Sequence, residues 1–175
     1  VRCLVWICGS LALIAALPPT ARAYEDQATL GFAVGYLGVP GSTVVPPNGV
    51  DGAVSAGGGI GDAWNIQGLV SFGALIGDPR VQLGTVGLEA VYTLDIVRFV
   101  PLLGVGLDGL LSIRDRRALG DFALHFLVGF DFLINRRLIF GGDFRGYWVA
   151  TNARSRLDPF VVRAGLRIGV RFDLP

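Results

Sequence analysis

The sequence predicts an all-β protein, an eight-stranded antiparallel up-and-down transmembrane β-barrel preceded by a cleavable signal peptide. Three observations lead there. Apolar residues recur at every second position through most of the chain. The residues between them are small and seldom charged. The alternating stretches are even in number, and the gaps between them are short and longer by turns.

Composition sets the frame. The 175 residues suffice for one domain with a core. They are 52 % apolar and only 17 % charged, against about 25 % charged in an ordinary globular domain. Fifteen basic residues, all arginine, face 14 acidic ones. That balance argues against a nucleic-acid partner, which needs a basic face.

The N-terminal stretch reads as a leader. Arg2 precedes a mostly apolar run, Leu4 to Leu17, followed by "PPTARA". Ala21 and Ala23 fit the small-x-small cleavage rule and make Tyr24 the first mature residue. A run of this length is too short to span a bilayer, which takes roughly 20 helical residues. The expected division is therefore a signal peptide over 1–23 and one barrel domain over 24–175. Cys3 and Cys8 both fall in the leader, so the mature chain is expected to lack thiols and disulfides. With a single histidine besides, neither a metal site nor a cofactor is expected. Removing Arg2 and Arg22 leaves 13 arginines against 14 acids, a formal charge of −1.

Each strand follows from its own alternation. "QATLGFAVGY" sets Leu30, Phe32, Val34 and Tyr36 against Thr29, Gly31 and Gly35. "GAVSAGGGI" at 52–60 is the weakest strand, because glycine packs nothing and loses most entropy. "WNIQGLVSFGAL" sets Trp64, Ile66, Val70 and Phe72 against Asn65, Gln67 and Ser71. "TVGLEAVYTL" has Val86, Leu88, Ala90 and Tyr92 on one face and Glu89 on the other. "RFVPLLGVGLDGLL" sets Phe99, Pro101, Leu103 and Val105 against Gly104, Gly106 and Asp108. "DFALHFLVGFDF" sets Phe122, Leu124, Phe126 and Val128 against Asp121, His125 and Asp131. "LIFGGDFRGYW" sets Leu138, Phe140, Phe144 and Trp148 against Asp143, Arg145 and Tyr147. The closing "PFVVRAGLRIGVRFDLP" carries Arg163, Arg167 and Arg171 opposite an unbroken apolar set from Phe160 to Phe172. Read as a helix, that set would circle the axis, and two internal glycines would cost about 1 kcal/mol each. Short gaps are expected near 61–63, 95–97 and 134–137, longer ones at 38–51, 76–80, 112–120 and 150–158.

Alternation does not say which face is wet, but three features do. The polar face is mostly Gly, Ala, Ser and Thr, too sparse in charge for a solvated sheet. Strands of 10–14 residues cover the roughly 9–11 that a tilted strand needs to cross a bilayer. Aromatics gather near strand ends: Trp64, Tyr92, Phe99, Phe132 and Phe172 at one, Tyr36, Trp148 and Phe160 at the other. Such girdles mark membrane interfaces. The apolar face is therefore expected to meet lipid.

The chain resembles the small outer-membrane β-barrels of the OmpA/OmpX/OmpW type. Arg98, Pro101, Gly104 and Gly106 match that family's Arg-x-x-Pro-aromatic-x-Gly-x-Gly strand, with Leu102 where an aromatic is usual. The last strand resembles the family's assembly signal, ending in the aromatic Phe172 with three residues after it. The resemblance implies location in the bacterial outer membrane. It implies contact with outer-membrane lipid and lipopolysaccharide, and recognition by the outer-membrane assembly machinery. It does not imply the wall-tethering role of longer members.

Eight strands close a barrel whose interior side chains can fill. The inward charges are expected to be Glu89, Asp108, Asp121, Asp131 and Asp143 against Arg145, Arg163, Arg167 and Arg171, with His125 among them. Buried charges persist when paired, and arginine's planar fork suits carboxylates. The lumen is thus expected to be plugged by ion pairs, with adjacent glycines making room for them, and the protein to have a structural or interfacial role without catalysis. Two alternatives compete: a narrow solute channel, and a lipid A-modifying enzyme built on Ser112, His125 and Asp108. The basic stretches at 114–117 and 152–156 fall in expected outer loops, where they read as solvated charge or as contacts to lipopolysaccharide phosphates.

Overall fold

A computed structural model describes residues 27–61, 63–94, 98–114, 117–150 and 159–173. The expected leader, with Ala21, Ala23 and Tyr24, lies outside the described residues, as does the basic stretch 152–156. Eight strands follow in order: β1 (Gln27–Gly38), β2 (Asn48–Gly59), β3 (Trp64–Leu75), β4 (Val81–Thr93), β5 (Phe99–Arg114), β6 (Arg117–Leu133), β7 (Leu138–Val149) and β8 (Phe160–Asp173). Each pairs antiparallel with the next, and β8 returns to β1 to close the barrel. Closure removes every sheet edge along the paired lengths.

The stagger can be counted through the registers. From Gly35 one path runs through Asp51, Gly73, Leu83 and Ser112 to Leu119 on β6. The other runs through Gly165 and Asp143 to Gly129 on the same strand, ten residues away. Eight strands with that stagger tilt by about 40° from the axis. A 12-residue strand then rises about 30 Å along it, the thickness of a bilayer's hydrocarbon core.

Four strands are longer than their alternation predicts. β2 begins at Asn48 rather than 52, and β4 at Val81 rather than 85. β5 and β6 run to Arg114 and from Arg117, so most of the loop expected over 112–120 is strand, and 115–116 lie outside the described residues. Arg114 and Arg117 are paired strand residues and not loop charges. The cause is a change in what faces inward. Near this end Val81 and Leu83 are buried inside the barrel with Gln82 outward, which reverses the phase of β4, and Leu110 faces inward with Leu111 outward, which erases the alternation of β5.

The outward positions of the eight strands carry no charged residue, and their only polar side chains besides the aromatics are Asn48 and Gln82. The apolar groups there are open: Val34 is 69 % exposed, Leu88 66 % and Val105 63 %. Trp64 meets Tyr92 edge to face at 5.2 Å, and Phe99 stacks on Phe130 at 5.6 Å, both near the end with the short connections. Near the other end Tyr36 donates a hydrogen bond to Asn48 Oδ1 at 2.7 Å, and Trp148 is the register partner of Phe160. Phe132 and Phe172 are exposed close to the short connections.

Candidate functional site

The inward residues form two apolar clusters and a network of charges. At the loop end Leu37, Leu75, Val81 and Val149 join Val39 and Val45 from the β1–β2 loop in one buried cluster. The loop is folded into the mouth by its own bonds. The Ser42 hydroxyl accepts from the Val44 and Val45 amides at 3.3 and 3.1 Å, and Val39 N donates to Pro47 O at 3.0 Å. Gly41 supplies a left-handed residue, φ 78°. From the opposite wall Arg114 Nη1 donates to Val44 O at 3.3 Å. A second, smaller apolar cluster, Val91, Val100, Leu102 and Leu127, lines the turn end.

Charge fills the middle. Arg145 holds Glu89 with two bonds, Nε to Oε2 at 3.2 Å and Nη2 to Oε1 at 2.9 Å, and reaches Asp143 Oδ2 through Nη1 at 2.5 Å. His125 touches Glu89 Oε2 through Nε2 at 2.9 Å and Asp108 Oδ2 through Nδ1. Tyr147 lies against its ring at 5.2 Å. Arg163 pairs with Asp51 through Nε. Arg167 clasps Asp131, with Nε to Oδ1 at 2.7 Å and Nη2 to Oδ2. Arg171 and Asp121 are both buried.

The registers explain how these long side chains fit. Gly106 is the cross-strand partner of both Glu89 and His125. A Cβ there would stand 2.4 Å from His125 Cε1, so only glycine lets the two side chains meet over β5. The same pattern recurs at Gly87 beside Asp108, Gly141 beside Asp131 and Arg167, and Gly129 beside Asp143.

All ten inward residues expected from the sequence, the nine charged ones and His125, lie on the barrel's inner face, and apolar side chains share the lumen with them. An apolar cluster packs the loop end above the ion pairs, whereas at the turn end the smaller cluster lies beside the Asp131–Arg167 pair, Val100 being the register partner of Asp131. Asp51 was missed because it fell in an expected loop; one apolar neighbour, Val50, was too little alternation to place it. The bond between the Ser71 and Thr85 hydroxyls, 2.8 Å, had no sequence signal either. The Ser112–His125–Asp108 set does not assemble. Asp108 meets His125, but Ser112 pairs with Leu119 and donates to its carbonyl at 3.4 Å. Leu119 stands six residues along β6 from His125, about 20 Å at strand rise.

A closed antiparallel barrel that is apolar outside and ion-paired inside has the architecture of a transmembrane β-barrel. Solved structures narrow the fold to the small eight-stranded outer-membrane type. Neisserial surface protein A matches with a TM-score of 0.66 at 17 % identity, over 86 % of this chain and 98 % of that one. The N-terminal β-barrel domain of Pseudomonas aeruginosa OprF gives 0.58 at 15 % identity, over 85 % and 99 %. OprG from the same organism gives 0.59 at 13 %, over 85 % and 97 %. No protein-family model matches the chain, and no curated protein does.

Proposed function

We propose that the chain is an integral barrel of the bacterial outer membrane with a structural or interfacial role, a sealed lumen and no enzymatic activity. The apolar cluster packed across the loop end, above the ion pairs, carries this reading. A conducting path needs a continuous wet passage, and here the loop-end mouth is packed with valine and leucine side chains. The apolar exterior supports lipid as the surrounding medium, since exposed apolar patches of more than a few hundred Å² are rare in water-soluble monomers. On this reading the loop end faces outward, among lipopolysaccharide, and the short turns face the periplasm. Export relies on the leader, and the Phe172-ended strand is the segment offered to the assembly machinery. The separation of Ser112 from His125 supports the absence of hydrolytic chemistry.

Planar-bilayer recording of the refolded mature protein tests it. The expected record is a flat baseline with insertion verified independently. Steady single-channel steps would favour the narrow-channel alternative and overturn the sealed-lumen reading.

A further inference from the structure

Between the loop-end apolar cluster and the ion pairs lies a small cavity with about 10 Å³ of room for the centre of a water-sized sphere. Leu37, Leu83 and Leu110 bound it toward the mouth; Asp51, Tyr147 and Arg163 bound it toward the centre. Arg163 is 1 % exposed and Tyr147 2 %. Arg163 meets Asp51 through Nε alone. Its two terminal nitrogens, the Tyr147 hydroxyl and Asp51 Oδ1 find no hydrogen-bond partner in the protein. Buried polar groups left in that condition are costly, and here they border one small space.

We infer that this cavity is a binding site for a single internal water molecule. Space of that size for the centre of a water-sized sphere is enough to admit a water and too little for a larger ligand. Its polar lining offers what water needs: guanidinium N–H groups to donate, a carboxylate oxygen to accept, and a hydroxyl that can do either. An ion is the competing occupant, and the charges argue against it. Asp51 already matches Arg163, while Glu89 and Asp143 together outweigh Arg145, so no positive charge remains to hold an anion. A cation would face the Arg163 guanidinium. The bound water completes the Arg163–Asp51 pair and joins the apolar cluster to the ion pairs. None of this depends on whether the lumen conducts.

Methyl-labelled protein refolded in detergent micelles provides the test, through nuclear Overhauser contacts from methyl groups to water. Contacts are expected at Leu37, Leu83 and Leu110 and not at Val91 or Leu102 of the turn-end cluster. No contact at the first three would mean a dry cavity, and equal contacts at all five would mean a flooded lumen; either overturns the site. Tyr147→Phe keeps the ring and removes one ligand, so a several-fold loss of the Leu110 contact is expected. An unchanged contact in a folded Tyr147→Phe protein overturns the assignment. Raising chloride should leave the Arg163 Nε resonance where it is, and a chloride-dependent shift would identify an ion in place of water.

Discussion

Gly106 sits where two charged side chains must cross, and its missing Cβ is what permits the crossing. Gly106→Ala drives a carbon to 2.4 Å from the His125 ring and 2.6 Å from the Leu88 carbonyl. Overpacking of this kind costs about 1–3 kcal/mol, to be read as a lowered urea midpoint for unfolding from vesicles. Gly120 has nothing within 4 Å of a built Cβ, so Gly120→Ala is the matched control, expected to change stability by less than about 0.5 kcal/mol. Glu89 is the hub of the network, bonded to both Arg145 and His125. Glu89→Ala leaves two buried groups short of a partner and is expected to destabilise by about 3–5 kcal/mol. A Glu89–Arg145 double-mutant cycle by urea titration should show strong coupling, and additive effects would contradict the pairing. Sequence alternation placed these residues on the inward face. It put Asp108 beside His125, as found, but could not say which carboxylate met which arginine, because those partners depend on a stagger that accumulates around the whole barrel.

Among the elements, the β1–β2 loop has a role its composition does not announce. "VPGSTVVPP" has no period of two, so nothing in it points inward or outward by pattern alone. Folded, it presents Val39 and Val45 to the lumen and Thr43 and Val44 to the outside. A cysteine at 45 should therefore resist a membrane-impermeant maleimide while one at 43 reacts, measured by mass shift on the reconstituted protein. Equal labelling would show that the loop does not enter the mouth. Close approach fixes the neighbouring loop as well: a Cβ on Gly77 would lie 2.8 Å from the Pro46 ring. The β5–β6 hairpin was misread for a related reason. Its outer part carries Leu110 and Leu119 inward and Leu111 and Phe122 outward, and a segment apolar on both faces loses the signal that alternation provides.

At the scale of the whole molecule the exterior governs behaviour. Leu88→Arg puts a charge on the middle of the apolar belt and is expected to cost about 2–4 kcal/mol in a bilayer. Ala118→Arg, on the outward face of the hairpin beyond that belt, should cost little. Comparing their unfolding midpoints in lipid vesicles locates the membrane on the protein, and equal costs would contradict that placement. The same exterior predicts that the mature polypeptide folds only with detergent or lipid present. A folded monomer in plain buffer, detected by light scattering and circular dichroism, would mean that the apolar face is turned inward after all.

Sequence alone determined the strand count, the closed antiparallel architecture and the sign of each face, because each is written in a period of two that local residues carry by themselves. It also determined that the charges point inward, since they occupy the phase opposite the lipid-facing side chains. Only the tertiary structure decided which carboxylate meets which arginine, that an apolar cluster packs the loop end of the lumen, and that a loop supplies part of it. Those facts arise from stagger and from contacts between residues far apart in the chain, and a pattern read one strand at a time contains neither.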